Sequence, residues 1–388
     1  MSVIAYLVDS MTQTPLPPAP YIRSDSELQA LIPHFSSEPF LAIDTESNSL
    51  YAYREQVCLF QITTRSGDFI IDPFEIQDME PLGAVLANPR IEKIFHAAEY
   101  DLIGIKRDFG FLVEPVFDTM IAARICGYPQ IGLNTLLQRY GVKLDKRHQR
   151  DDWGKRPLEP DSLRYAQMDT HFLPMLRNDL YDELVAQDRL AEAREAFAEL
   201  VHVDLPDVSF DPDGYWPIAK AQRLRGQQLA ILRELYLVRE RLAEQRDTPP
   251  FRVLNNDTLA ELARQAPTGK AALAKIKGIP RGFVRRHGDE VLAAIASGQR
   301  AKVPRQPRQR RMAEPVVMER YSALREWRKQ RANQRGVESD VILSKNILWL
   351  LARNAPRTID DLQGIPGMGP WRLSHYGSEL LEVLDKVR

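Results

Sequence analysis

The sequence predicts an α/β domain, a mixed sheet flanked by helices, followed by two small all-helical domains. Three observations carry this. Between residues 20 and 190, short runs rich in Val, Ile and Phe alternate with helix-periodic stretches. From residue 217 onward no stretch reads as a strand. That same region holds an internal repeat.

Four strands are expected: "FLAIDT" (40–45), "VCLFQIT" (57–63), "DFIID" (68–72) and "KIFHA" (93–97). Each is short, and Ser66-Gly67 and Asp72-Pro73 supply turns between them. Helical patterns follow at 99–109, 118–126, 133–140 and 161–187. Asp118-Thr119 marks one helix start, and Asp161 with Ser162 another.

In the repeat, "LARQAP" (262–267) returns as "LARNAP" (351–356), "KGIP" (277–280) as "QGIP" (363–366) and "LRE" (232–234) as "LRE" (324–326). The offsets are 89, 86 and 92, which implies two three-residue insertions in the first copy. Between the copies, "GQRAKVPRQPRQRRMAEP" (298–315) reads as an exposed linker. The expected layout is a disordered lead over 1–20, the α/β domain over 21–215, helical domains over 216–298 and 316–388, and a basic linker over 299–315.

With 388 residues and 44% hydrophobic content, the chain has room for several ordinary globular domains. No apolar run approaches the ~18–20 residues of a membrane span. Val3 to Val8 is short and follows no basic residue, so no signal peptide is expected. Two cysteines, Cys58 and Cys126, exclude a disulfide framework and point to a reducing, cytoplasmic setting. No stretch stands out as an oligomer interface, so a monomer is expected. The net charge of -1 conceals a division. Residues 216–388 carry 33 Lys and Arg against 18 Asp and Glu, whereas residues 1–215 carry 19 against 35. An excess so one-sided points to a polyanionic partner.

The acids at the end of the first strand point to chemistry. Asp44 and Glu46 are two apart, so their side chains share one face. Like charges so close stay ionised only by sharing a cation, and an oxygen-only donor set suits Mg²⁺ or Mn²⁺. A lone Asp-x-Glu is more often a solvated turn. "FHAAEYD" (95–101) sets Asp101 where a helix begins, and "RYAQMD" (164–169) sets Tyr165 and Asp169 on one helical face. Alone, Asp101 is a helix-start acid, and Tyr165 with Asp169 is a hydrogen-bonded pair. The ordered set of three stretches is what carries meaning.

In that order the three stretches resemble the motifs of the DEDD superfamily of 3′–5′ exonucleases, in its tyrosine-bearing branch. The helical repeats resemble HRDC domains, bundles shared with RecQ-type helicases. From about residue 20 onward the chain resembles the bacterial ribonuclease D family. The resemblance implies an RNase H-like fold for the first domain. It also implies that Asp44, Glu46, Asp101 and Asp169 hold two divalent ions, Mg²⁺ or Mn²⁺, for an in-line displacement. Tyr165 would orient the attacking water, since a phenol of pKa ~10 is a poor base at neutral pH. Nucleoside 5′-monophosphates would leave the 3′ ends of structured RNA, chiefly tRNA precursors. His96 matches the second motif and would position the scissile phosphate or a backbone loop, although a lone His at a strand end is more often structural. Asp118 also fits the pattern, but a helix N-cap accounts for it. One departure stands out: many members carry a large apolar residue after the Glu, where this chain has Ser47 and then Asn48. Tyr51 and Tyr53 are candidates to stack on the terminal base instead, and packing on the sheet is an equally good reading of them.

The basic half offers Arg285 and Arg286 in "RGFVRR", the run 305–311, Arg328 beside Trp327, and Arg372. Arg372 ends "GIPGMGPWR", which resembles a phosphate-binding turn, though "GIP" in both copies is equally a plain helix-ending turn. The expected division of labour is a basic half that holds RNA while the acidic half trims it. Two rival readings are a DNA exonuclease of repair or proofreading, and a non-catalytic RNA-binding protein. The absence of polymerase and helicase motifs weighs against the first, and the complete acid set against the second.

Overall fold

The computed structural model describes residues 16–145, 147–305 and 314–387. Most of the expected lead and the basic run 306–313 lie outside these residues. The chain divides into two compact units: Met1–Ser47 with Val57–Leu205 and Met312–Arg388, and Asn48–Gln56 with Pro206–Arg311.

The first unit is built on β1 (Tyr21–Ile22), α1 (Asp25–Ser37), β2 (Phe40–Ser47), β3 (Val57–Thr63), β4 (Asp68–Ile71), α2 (Glu80–Leu86), β5 (Glu92–Phe95), α3 (Glu99–Phe109) and β6 (Val116–Asp118). Then follow α4 (Thr119–Ile125), α5 (Leu133–Gln138), α6 (Pro160–His171), α7 (Leu173–Ala186) and α8 (Leu190–Leu200). The six strands run in the order β1-β4-β3-β2-β5-β6. β3 is antiparallel to β2 and β4, and the other pairs are parallel. The sheet is therefore mixed and flanked by helices, as the sequence leads one to expect.

Helices cover both faces of the sheet, which is why all seven residues of β3 are buried. On one face Leu41, Ile43, Phe60 and Ile62 pack with Phe35, Leu82, Leu102 and Ile105 from α1, α2 and α3. On the other, Leu59 and Ile70 pack with Trp153 and with Ala166 of α6. A buried polar knot pins α6 in place. Gln167 donates to Asp68 at 2.8 Å, His171 Nδ1 lies 2.9 Å from the same carboxylate, and Thr63 donates to it at 2.8 Å. Burial would raise the Asp68 pKa, but the hydrogen bonds from His171 and Gln167 outweigh it and hold the group below its usual value.

The pattern over 161–187 is two helices, interrupted at Phe172, with Pro174 in the first turn of α7 where a missing N–H is harmless. α6 begins at Pro160 behind Glu159, so Asp161 and Ser162 lie inside its first turn and do not precede it.

The second unit contains α9 (Trp216–Ala221), α10 (Gln227–Gln245), α11 (Pro250–Val253), α12 (Asn256–Gln265), α13 (Lys270–Leu273) and α14 (Arg281–Arg300). The loop 48–56 belongs with it. Tyr53 donates its hydroxyl to Glu240 at 2.7 Å, and the Arg252 guanidinium lies 3.9 Å from the Tyr51 ring centre. Both tyrosines are thus engaged by the helical module.

The second helical module, within the first unit, contains α15 (Pro315–Arg335), α16 (Ser339–Ile342), α17 (Lys345–Asn354), α18 (Ile359–Gln363) and α19 (Pro370–Asp385). Its helix starts repeat those of α11 to α14 with one constant offset of 89. Arg239 donates to the Leu254 carbonyl, and Arg328, 89 residues on, donates to the Leu343 carbonyl. Gly278 and Gly367 both have positive φ, at 90° and 83°, and a Cβ on either would strike Thr258 or Ile347, again 89 apart. The two copies therefore match without insertions. The "LRE" and "GIP" matches are out of register, and only "LAR-x-AP" is aligned correctly.

α8 carries Glu192, Glu195 and Glu199, spaced three and four apart and hence on one face. Arg335 donates to the buried Glu192 at 2.8 Å. Glu195 accepts from the backbone N–H groups of Trp371 and Arg372 at the start of α19. Glu199 pairs with the Arg372 guanidinium. Among the described residues no helix is long and apolar enough to cross a membrane.

Candidate active site

Strand alternation sorts the residues at the end of β2. Ile43 faces the apolar core, and Asp44 and Glu46 leave from the opposite face beneath α6. Thr45, between them, spends both its N–H and its hydroxyl on Asp101 Oδ1, at 2.9 and 2.5 Å. Asp101 lies in the first turn of α3.

The turn leading into α3 passes through Ala97 at φ 66°, a left-handed conformation that costs a non-glycine residue about 1–2 kcal/mol. Asp118 holds it there. Its carboxylate accepts from Ala97 N at 3.2 Å and Ala98 N at 2.7 Å, and caps α4 through Met120 N at 2.8 Å and Ile121 N at 3.0 Å. The N-cap is thus only half of what Asp118 does. Its other half positions the turn that delivers His96 and Asp101.

From α6, Tyr165 and Asp169 face the same cleft, and the Asp169 carboxylate acts directly on the Tyr165 hydroxyl. Carboxylate oxygens of Asp44, Glu46 and Asp169 all lie within 4.8 Å of one another. The fold therefore gathers three of the four expected acids around one point. Asp101 stands beside them, buried, with one oxygen turned to Thr45.

Burial and mutual repulsion work against ionisation here. Burial pushes Asp44 up to about 7. Glu46, Asp101 and Asp169 are driven well above the usual carboxylate range, first by burial and then by the charge of Asp44. Tyr165 is driven upward by burial and by Asp169, so it stays a protonated donor. Carboxylates so placed become mutually compatible when a cation shares them. A set made only of hard oxygen donors fits Mg²⁺ or Mn²⁺ and does not suit a thiophilic metal.

A second group around Tyr165 escaped the sequence reading. Asp151 accepts from Ser162 at 2.6 Å and lies 2.8 Å from His148 Nδ1. The Trp153 ring packs 6.2 Å from that of Tyr165. Arg156 fixes this segment by donating to the Trp153 carbonyl at 2.7 Å and gripping the fully buried Asp72 at 2.6 and 2.8 Å. The available signal was the i, i+3 pair His148 and Asp151 just ahead of a tryptophan. A cleft of about 320 Å³, lined by Asp44, His96, Asn134, Thr135, Tyr165 and Asp169, opens onto the site.

The structure revises the expected phosphate contacts. His96 Nδ1 lies 2.9 Å from Thr119 Oγ1, and that hydroxyl donates to the Phe95 carbonyl, so Nδ1 carries the proton. Burial lowers its pKa to about 4, and a neutral ring brings no charge to a phosphate. Arg328 is an internal brace of its module. Arg372 is buried, and the turn "GIPGMGPWR" meets Glu195. Arg285 and Arg286 remain exposed on α14. Next to Glu46, the β2–β3 register slips, so that Ser47 pairs with Val57.

A family model described as a 3′–5′ exonuclease matches residues 20–185, and the HRDC domain model matches 228–295 and 317–384, again 89 apart. Ribonuclease D of Pseudomonas paraeruginosa is 32% identical, covering 96% of this chain and 99% of its own. That of Acidiphilium cryptum is 30% identical over 96% and 95%. The chain belongs to the ribonuclease D family. Among solved structures, Escherichia coli RNase D, described as an exoribonuclease involved in structured RNA processing, superposes with a TM-score of 0.66 at 27% identity over 95% and 99% of the chains. The catalytic core of RRP6 from Trypanosoma brucei gives 0.67 at 28% identity over 72% and 79%. As a member of that family, the protein is a 3′–5′ exoribonuclease with an α/β exonuclease domain and two HRDC domains.

Proposed function

We propose that the acidic cleft shortens structured RNA from its 3′ end, tRNA precursors above all, and releases nucleoside 5′-monophosphates. Asp44, Glu46, Asp101 and Asp169 would hold two divalent ions, Mg²⁺ or Mn²⁺. The observation that supports this best is the convergence of three carboxylates within 4.8 Å beside a protonated tyrosine. When bound, the ions supply positive charge for the entering and leaving oxygens and lower the pKa of the attacking water.

The chain's own residues do the rest. Thr45 and the Asp118 clamp fix Asp101. Tyr165, locked between Trp153 and Asp169, orients the water by hydrogen bonding and does not take its proton. Four acids repel a polyanion, and exposed arginines such as Arg285 and Arg286 offset this by raising the local RNA concentration. Two buried cysteines outside any disulfide suit a reducing cytoplasm, and we take the working form to be a monomer.

The test uses the full-length protein with Mg²⁺ or Mn²⁺ on a tRNA carrying an extended 3′ tail and on single-stranded DNA of equal length. Asp44→Asn and Asp169→Asn should each lower the rate by about 10²–10³-fold. Full activity of either variant would sink the metal-site assignment, and faster cleavage of DNA would overturn the RNA assignment.

A further inference from the structure

Gln61 sits on β3 directly opposite Asp44. Cross-strand partners leave the sheet on the same face, with Cβ atoms about 5 Å apart. The side chain is fully buried, at 0% exposure. Neither its Nε2 nor its Oε1 has a hydrogen-bond partner. The next residue on that face, Thr63, is hydrogen-bonded to both Asp68 and Thr170, so the face supplies partners to its other polar group and not to this one. An amide orphaned at both ends is costly in a protein interior, and an apolar side chain of the same length would fill the space without that cost. Its cross-strand neighbour is a carboxylate of the acidic cluster, and a carboxylate shared with a cation turns one oxygen to the ion and leaves the other to be steadied.

We propose that Gln61 is a positioning residue for divalent-ion binding: in the loaded site its Nε2–H donates to the Asp44 carboxylate and sets which oxygen meets the ion. Its Oε1 then accepts from the water that hard divalent ions retain. The inference rests on the reading of Asp44, Glu46 and Asp169 as an ion site.

Calorimetric titration of the full-length protein with Mn²⁺, paired with thermal unfolding of the metal-free protein, tests both layers. If the wild type takes up no Mn²⁺, the ion site itself fails and this proposal with it. If the wild type binds, Gln61→Met should weaken Mn²⁺ affinity by about 10–100-fold while leaving the metal-free melting temperature equal or higher. The loss should not add to that of Asp44→Asn in the double variant, because Gln61 acts through Asp44. An unchanged Mn²⁺ affinity overturns the proposal. So does a Gln61→Met protein that melts earlier or fails to fold without metal, since the amide would then serve the fold.

Discussion

Asp44 and its neighbours make the metal-free protein's stability depend on pH in an unusual direction. A carboxyl whose native pKa stands near 7, against an ordinary value of ~4, keeps in the folded state a proton that the unfolded chain releases. Its contribution is complete below about pH 4 and is lost as pH rises through about 7. In EDTA the melting temperature should therefore fall between pH 5 and pH 8. Added Mn²⁺ should raise it more at pH 8 than at pH 5, because ion and protons compete for the same oxygens. Scanning fluorimetry across that range checks both, and a midpoint that climbs with pH in EDTA contradicts the assignment. Tyr165→Phe should lower kcat by up to about a hundredfold with little change in RNA affinity. The shape of the pH–rate profile should persist, since the phenol does not titrate in that range.

Elements differ in how plainly the sequence announces them. β2, β3, α3 and α4 were legible because each carries several residues of one periodicity and a clear start. β1 and β6, at two and three residues, are too short to show any period. The interruption at Phe172 is invisible because the apolar period runs through it. Asp44, Glu46, Tyr165 and Asp169 were legible because each pair is local, two apart on a strand or four apart on a helix. Gln61, the Asp118 clamp and the Asp151 group act through contacts between distant segments, which spacing does not record. The arginines were misjudged for a related reason: composition reveals a charge but not the carbonyl or carboxylate waiting for it. The seam between α8 and the second module gives a direct test. Arg335→Met strands the buried Glu192 and should cost about 3–5 kcal/mol in chemical denaturation. Glu192→Leu with Arg335→Met should recover most of that. Equal stability of the single variant and the wild type would show that the pair does not hold the seam.

At the scale of the whole molecule, the lopsided charge was visible in the sequence, and so was the presence of two helical modules. Their attachment was not. One module belongs to the same compact unit as the nuclease, so deleting residues 217–388 would strip a packed surface from α8 and confound any loss of RNA binding. Point changes are cleaner. Arg285→Gln with Arg286→Gln should reduce the slope of log affinity against log salt by about 0.7 for each phosphate that is no longer neutralised on single-stranded RNA, with folding unaffected. An unchanged slope would remove these two arginines from the RNA-holding surface.

The constant 89-residue offset has a consequence for how this protein can evolve. A tandem duplication leaves two equivalent scaffolds, and here they have parted ways. The second copy has tied its glycine turn to a glutamate of the nuclease, so its freedom to vary is spent. The first copy, with arginines where its twin has Ser374 and His375, is the one left open to drift or to acquire new partners. A saturation library scored for folded yield should find the exposed Arg281, Arg285, Arg286 and Asp289 permissive and Trp371, Arg372 and Tyr376, which pack in the second module and its seam, intolerant.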